Sequence, residues 1–169
     1  MKEEHLALHR EMGKRGIDAY LVPTTDFHGS EYVNDYFKCR KYVSGFTGSA
    51  GTLLVTNDFA GLWTDGRYFL QAEKQLQGSG ISLMRINQPG VLSIREYLAE
   101  NLKPESVVAF DGRVVDADFG MSLETDYNIE YDMDLVGEIW KERPVLRGSE
   151  IYKLPPEVVG ETAESKLKR

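Results

Sequence analysis

Residues Tyr42–Ala72 read YVSGFTGSAGTLLVTNDFAGLWTDGRYFLQA. Three glycines, Gly45, Gly48 and Gly51, punctuate a small polar loop, and an apolar run follows from Thr52 to Thr56. Asn57-Asp58 is turn chemistry, because both side chains bond nearby backbone and tolerate a tight reversal. A second run, Phe59 to Thr64, leads into Asp65-Gly66-Arg67-Tyr68 and then a helical pattern with Phe69, Ala72 and Leu76 on one face. The stretch predicts strand, turn, strand, tight loop, helix. Polar groups gather at both ends of the strand pair, so a site in this chain is expected there.

Upstream, Leu8 and Met12 stand four apart among charges, which predicts a short amphipathic helix over Lys2–Lys14 ended by Gly16. Asp18–Val22 predicts a buried strand stopped by Pro23. In the polar loop that follows, Ser30 is placed to cap a short helix reaching Phe37, with Glu31 in its first turn. Cys39-Arg40-Lys41 is a basic link into the central stretch. Downstream, the helix after Gly66 runs to Gln77, and Gly78 and Gly80 end it. Ile81–Ile86 predicts a strand, and Pro89-Gly90 a turn. Ser93–Leu102 predicts a helix with Ser93 and Glu96 as a capping box. Val107–Asp111 reads as a buried strand, Asp116–Glu124 as a helix, Ile129–Met133 as a strand and Asp134–Lys141 as a last helix. The order implies an α/β fold: a mixed β-sheet flanked by helices, the hairpin supplying the antiparallel part. After Pro144 the chain turns rich in Pro and Gly. Residues 1–147 are expected to form one domain. Residues 148–169 are expected to be a linker and the truncated start of a second, with a helix opening at Glu161 behind a poor cap, Thr162.

The net charge of −7 over 169 residues argues against nucleic acid and against an anionic membrane surface. A single cysteine, Cys39, excludes an internal disulfide and a cysteine-rich zinc site. No apolar run is long enough to span a membrane, and MKEEHLALHR lacks the apolar core of a signal peptide. A cytoplasmic location is the expectation.

The glycine stretch SGFTGSAGT is not a phosphate loop. No Lys follows it, and it precedes a strand where a phosphate loop precedes a helix. A bend with close backbone approach is the favoured reading. His5 and His9 are four apart but have no third ligand in view, so a solvated pair is expected. Asp26, His28 and Glu31 form either a polar binding cluster or an Asx-type turn beside a surface histidine. Asp65 and Arg67 form either an ion pair that fixes the turn or, through the Arg67 fork, a grip on a carboxylate or carbonyl. Taken alone, the first is favoured. Arg40 is an exposed charge unless it faces a cleft. Phe46, between loop glycines, is expected to be exposed. No nucleophile motif and no carboxylate cluster for two metals is present.

Three segments carry a resemblance: AYLVPTTDFHGSEY (19–32), CRKYVSGFTGSAGTLLVT (39–56) and GLWTDGRYFLQAEKQL (61–76). In order and spacing they resemble the N-terminal domain of the three-domain Xaa-Pro aminopeptidases (aminopeptidase P) of the creatinase/prolidase superfamily. IWKERP (139–144) and KLPPEVVGETAESKLKR (153–169) resemble the end of that domain and the start of the next. The resemblance implies the creatinase/prolidase N-terminal domain fold. It implies a parent enzyme that removes the residue preceding proline with two divalent metal ions, manganese by expectation. Asp, Glu and His residues of an absent C-terminal domain would hold those ions. This chain is then a non-catalytic part with no cofactor of its own, inactive alone. It would shape the substrate channel and contact its own C-terminal catalytic domain, a proline-containing peptide and the partner of a homodimer. The resemblance nominates Arg67 first for peptide binding, then Asp65, Arg40, Phe46 and His28. The competing expectations are a stand-alone binding module and a fragment of a related creatinase-type hydrolase.

Overall fold

The computed structural model describes residues 3–169. Along the chain it forms α1 (Glu3–Arg15), β1 (Ala19–Pro23), a 3-10 turn (Asp35–Phe37), α2 (Cys39–Ser44), β2 (Thr52–Thr56), β3 (Ala60–Thr64), α3 (Phe69–Gln75) and β4 (Ser82–Arg85). Then come α4 (Ile94–Asn101), β5 (Val107–Phe110), α5 (Ala117–Leu123), β6 (Asn128–Glu130), α6 (Leu135–Ile139), α7 (Pro156–Val159) and α8 (Ala163–Leu167). The sheet order is β4-β3-β2-β1-β5-β6. β2 runs antiparallel to both β1 and β3, while β3–β4, β1–β5 and β5–β6 are parallel pairs. All strands except β2 therefore point one way. The ends of β1, β3 and β5 and the start of β2 share one edge of the sheet.

Both faces of the sheet are covered, which is why its strands read as nearly continuous apolar runs. Tyr20, Val22, Leu53, Val55 and Leu62 face one core with Leu8 and Met12 of α1 and Leu135 and Val136 of α6. Leu21, Leu54, Trp63, Val108 and Phe110 face the other with Leu98 of α4 and Leu123 of α5. Tyr20 spans sheet and helix: its hydroxyl donates to Met133 O (2.5 Å) and accepts from Leu135 N (3.0 Å). A buried phenol needs such partners.

The predicted mixed sheet with flanking helices is present, including the hairpin that reverses at Asn57-Asp58. Several local expectations differ. The first helix was expected from Lys2, which lies outside the described residues. Ser30 caps nothing helical; the short turn starts at Asp35, and the Asn34 side chain caps it by accepting from Tyr36 N (3.0 Å). The basic link is itself helix α2, closed by Gly45 in the left-handed region (φ 78°). Its six residues are too few to be stable locally. Tertiary burial of Arg40, Val43 and Ser44 holds them instead. His5 is not solvated but buried in α1, and His9 Nε2 is 2.7 Å from Asn57 O. Thr162 is a working cap, accepting from Ser165 N (3.2 Å).

Candidate functional site

Three loops meet at the shared edge of the sheet. The first follows β1. Asp26 Oδ1 accepts from the backbone N–H of His28 (2.9 Å) and of Ser30 (3.0 Å), an Asx-type turn that fixes the loop. Those amides hold the Asp26 carboxyl below its ordinary range. Thr24 ties this loop to the second, since its N and Oγ1 both donate to Gly51 O (3.1 and 2.9 Å).

The second loop, residues 45–51, precedes β2. Gly48 cannot carry a side chain, because a Cβ there would overlap the Phe46 ring and stand 2.8 Å from Tyr68 Cδ1. Gly51 (φ 147°) is equally hemmed, with Trp63 O 2.8 Å from an ideal Cβ. The favoured reading of these glycines, close backbone approach, is what the packing shows.

The third loop follows β3. Arg67 Nε and Nη2 make a two-pronged contact with the Asp65 carboxylate, both at 2.9 Å, and Arg67 N adds a third bond to Asp65 Oδ1 (3.0 Å). The arginine bond pushes the Asp65 carboxyl below its usual range and raises the Arg67 guanidinium. The ion pair that fixes the turn is present. It occupies one edge of the guanidinium and leaves Nη1 directed at Glu31 Oε1 (3.4 Å). The same Glu31 oxygen accepts from Ser49 Oγ (2.8 Å), and Ser49 Oγ lies 2.6 Å from Tyr68 OH. Glu31, Ser49, Arg67 and Tyr68 thus join all three loops.

Beside this junction opens a cleft of about 760 Å³, lined by the Thr24–Glu31 loop, Ser49–Thr52 and Arg113–Asp116. Arg113 is held by Asp111 (Nε 2.8 Å, Nη2 2.8 Å) and by Asp134 (2.9 Å).

Of the five nominated residues, Asp65 and Arg67 sit at the junction, and His28 is exposed on the cleft wall. Arg40 and Phe46 were expected to be exposed and are not, at 3% and 0%. They lie behind the glycine loop, where Arg40 Cζ is 4.6 Å from the Phe46 ring centroid and Arg40 Nη2 donates to Gly48 O. Arg40 and Arg67 do not converge on one point. They stand at two ends of an aromatic pair, Phe46 edge-on to Tyr68 (5.9 Å), with Arg67 Cζ 5.2 Å from the Tyr68 centroid. Ser49 and Tyr68 were missed as site residues. Their polar types in SGFTGSAG and DGRY were visible, but the pairing of the loops was not. Among the described residues no three His, Cys, Asp or Glu side chains are grouped to hold a metal ion.

The family model described as the Creatinase/Prolidase N-terminal domain matches residues 5–145. Aminopeptidase P2 of Arabidopsis thaliana is 47% identical over 149 residues, 82% of this chain and 21% of that protein. The Xaa-Pro aminopeptidase ApepP of Drosophila melanogaster is 38% identical over 169 residues, 95% of this chain and 27% of its own length. The solved X-prolyl aminopeptidase of Caenorhabditis elegans, a cytosolic enzyme with a di-nuclear active site, superposes with a TM-score of 0.86 at 35% identity. That match covers 98% of this chain and 29% of that one. The chain therefore spans about a quarter of the length of the curated relatives it matches.

Proposed function

The chain belongs to the creatinase/prolidase N-terminal domain family, and from that premise we propose that it is the non-catalytic, channel-shaping domain of a metal-dependent Xaa-Pro aminopeptidase. The observation that carries this reading is the junction of three loops at one sheet edge, where Glu31, Ser49, Arg67 and Tyr68 bond to one another beside an open cleft. In sheets of mainly parallel strands, ligands are taken at the carboxyl ends of the strands.

The junction is built to present polar groups in fixed positions. Asp65 clamps Arg67 in one orientation, so little rotamer entropy remains to be lost when a peptide is met. Arg67, Asp65 and His28 contact peptide on this reading, while Phe46 and Arg40 support the wall from behind. Asp26, Glu31 and Asp116 outnumber Arg113 along the cleft, which favours a peptide's ammonium end. Among the described residues no His, Cys, Asp and Glu side chains are grouped as a metal pair would need. The two divalent ions, manganese by proposal, would be held by residues of the catalytic domain that follows. That domain and a second copy of the protein are the proposed partners, and the location is cytosolic, as for the Caenorhabditis relative.

Two measurements test this. The 169-residue chain with manganese should leave an Xaa-Pro peptide intact; clear turnover refutes the non-catalytic reading. In the full-length parent, Arg67→Ala should reduce turnover about 10- to 100-fold with metal content unchanged, the size expected of a lost positioning contact. Unaltered kinetics in a stable variant would remove Arg67 from the site.

A further inference from the structure

The tripeptide Asp-Gly-Arg occurs twice, at 65–67 after β3 and at 111–113 after β5. The second copy repeats the first bond for bond. Arg113 N and Nε donate to Asp111 Oδ1 (3.1 and 2.8 Å) and Nη2 donates to Asp111 Oδ2 (2.8 Å). Arg67 N, Nε and Nη2 do the same to Asp65 (3.0, 2.9 and 2.9 Å). Each guanidinium also lies beside one ring, Arg67 5.2 Å from the Tyr68 centroid and Arg113 5.6 Å from that of Phe27. In both copies Nε and Nη2 are spent on the clamp and Nη1 is left over. Arg67 Nη1 has only the long contact to Glu31 (3.4 Å). Arg113 Nη1 makes no hydrogen bond among the described residues. Both side chains reach solvent, at 61% and 49% exposed.

Arg113 also has a structural task. Its Nη2 donates to Asp134 (2.9 Å), which ties the end of β5 to the start of α6. That task does not use Nη1. Asp111 and Asp134 are set against Arg113 and Arg143, so charge around the clamp is balanced. A guanidinium already matched in this way suits a neutral acceptor, such as a carbonyl oxygen, better than a further carboxylate.

The sheet order β3-β2-β1-β5 sets the two clamps three strand spacings apart, about 14 Å. Glu31, the partner of Arg67, and Arg113 both line the larger cleft. There the chain leaves β1 toward one core, where Val43 of α2 packs, and leaves β5 toward the other, where Leu123 of α5 packs. Open α/β sheets take ligands at such a switch point. An extended peptide rises about 3.3 Å per residue, so about four residues bridge the clamps.

We propose that Arg113 is a second peptide-binding residue, whose Nη1–H groups donate to a backbone carbonyl about four residues along an extended peptide from the group met by Arg67. This role rests on the peptidase reading and adds to it a dependence on peptide length.

The test is a length series, Ala-Pro, Ala-Pro-Ala and extensions to seven residues, cleaved by the manganese-loaded full-length parent. In the wild type KM should fall about tenfold between the tripeptide and the heptapeptide, the worth of one hydrogen bond from a charged donor. Arg113→Ala should raise KM for the heptapeptide about tenfold with kcat held, because the contact is made in ground and transition states alike. KM for the dipeptide should move less than twofold. Arg113→Lys keeps a cation between Asp111 and Asp134 but loses the fork, so it should behave as the alanine variant does and replaces it if that variant fails to fold. A wild-type KM that does not fall with length overturns the proposal without any variant. So does an equal loss on dipeptide and heptapeptide, the mark of a purely structural arginine, or no loss on either. If the wild-type parent cleaves none of the series, the peptidase reading fails and this role with it. Normal wild-type turnover with length-blind Arg113 variants overturns the Arg113 role alone.

Discussion

A methyl group added at Gly48 has nowhere to go, because the Phe46 ring and Tyr68 already fill the space. Gly48→Ala should therefore destabilise the chain by about 1–3 kcal/mol, the usual penalty for over-packing. A urea midpoint checks this. Weakened packing of Phe46 on Tyr68 should accompany the loss. His5 gives a second prediction at this scale. Its burial, then the charge of His9, lowers its pKa from 6.5. A base with a depressed folded pKa binds protons more readily when unfolded, so stability is full above pH 6.5 and falls as pH drops below it. His5→Gln should flatten the slope of unfolding free energy against pH in that window. An unchanged slope would assign the acid sensitivity elsewhere. At this scale the residue types of the site were legible, as with the WTDGRY turn and its ion pair. Burial was not: Arg40, Phe46 and His5 were all expected at the surface, because side-chain exposure depends on neighbours distant in the chain.

The helices separate into those that their own sequence specifies and those that packing imposes. Helix α4 is of the first kind. Ser93 Oγ accepts from Glu96 N (3.2 Å), and Glu96 Oε2 accepts from Ser93 N (2.7 Å), closing the predicted capping box. Ser93→Ala should cost about 1 kcal/mol in chemical denaturation, with Ser93→Thr restoring most of it. Helix α2 is of the second kind. No side chain caps its start, and it persists through buried Val43 and Ser44 and the left-handed Gly45. Its invisibility to periodicity follows, since six residues cannot display an amphipathic repeat against random expectation. The strands were legible because both cores demand apolar residues. Their ends were not: β6 stops at Glu130, and Asp132 makes only an isolated bridge to Asp111.

Across the whole molecule, the body of the domain is closed by Arg143. Its Nη1 pairs with Asp134, its Nε donates to Tyr36 O (2.8 Å), and its Cζ lies 3.8 Å from the Tyr36 ring centroid. Beyond residue 147 this changes. The side-chain bonds there join the segment to itself, as in Lys153–Glu164 and Arg169–Glu161. Ile151, Tyr152 and Leu167 are exposed (103%, 78% and 87%). The expected division at 147 accordingly predicts that a chain ending at Arg147 unfolds within about 0.5 kcal/mol of the 169-residue chain, as surface changes do. A larger loss would show that residues 148–169 belong to the first domain.

By itself the sequence determined the α/β class, the central hairpin, the capping of α4 and the family, because periodicity, turn chemistry and ordered motifs are local properties carried along the chain. Only the tertiary structure decided that Glu31, Ser49 and Arg67, as much as 36 positions apart, share one junction, and that Arg40 lies behind it. The physical reason is strand register: pairing Pro23 with Thr52 and Thr52 with Trp63 brings three loop ends to one edge, and register is set by the cores on both faces.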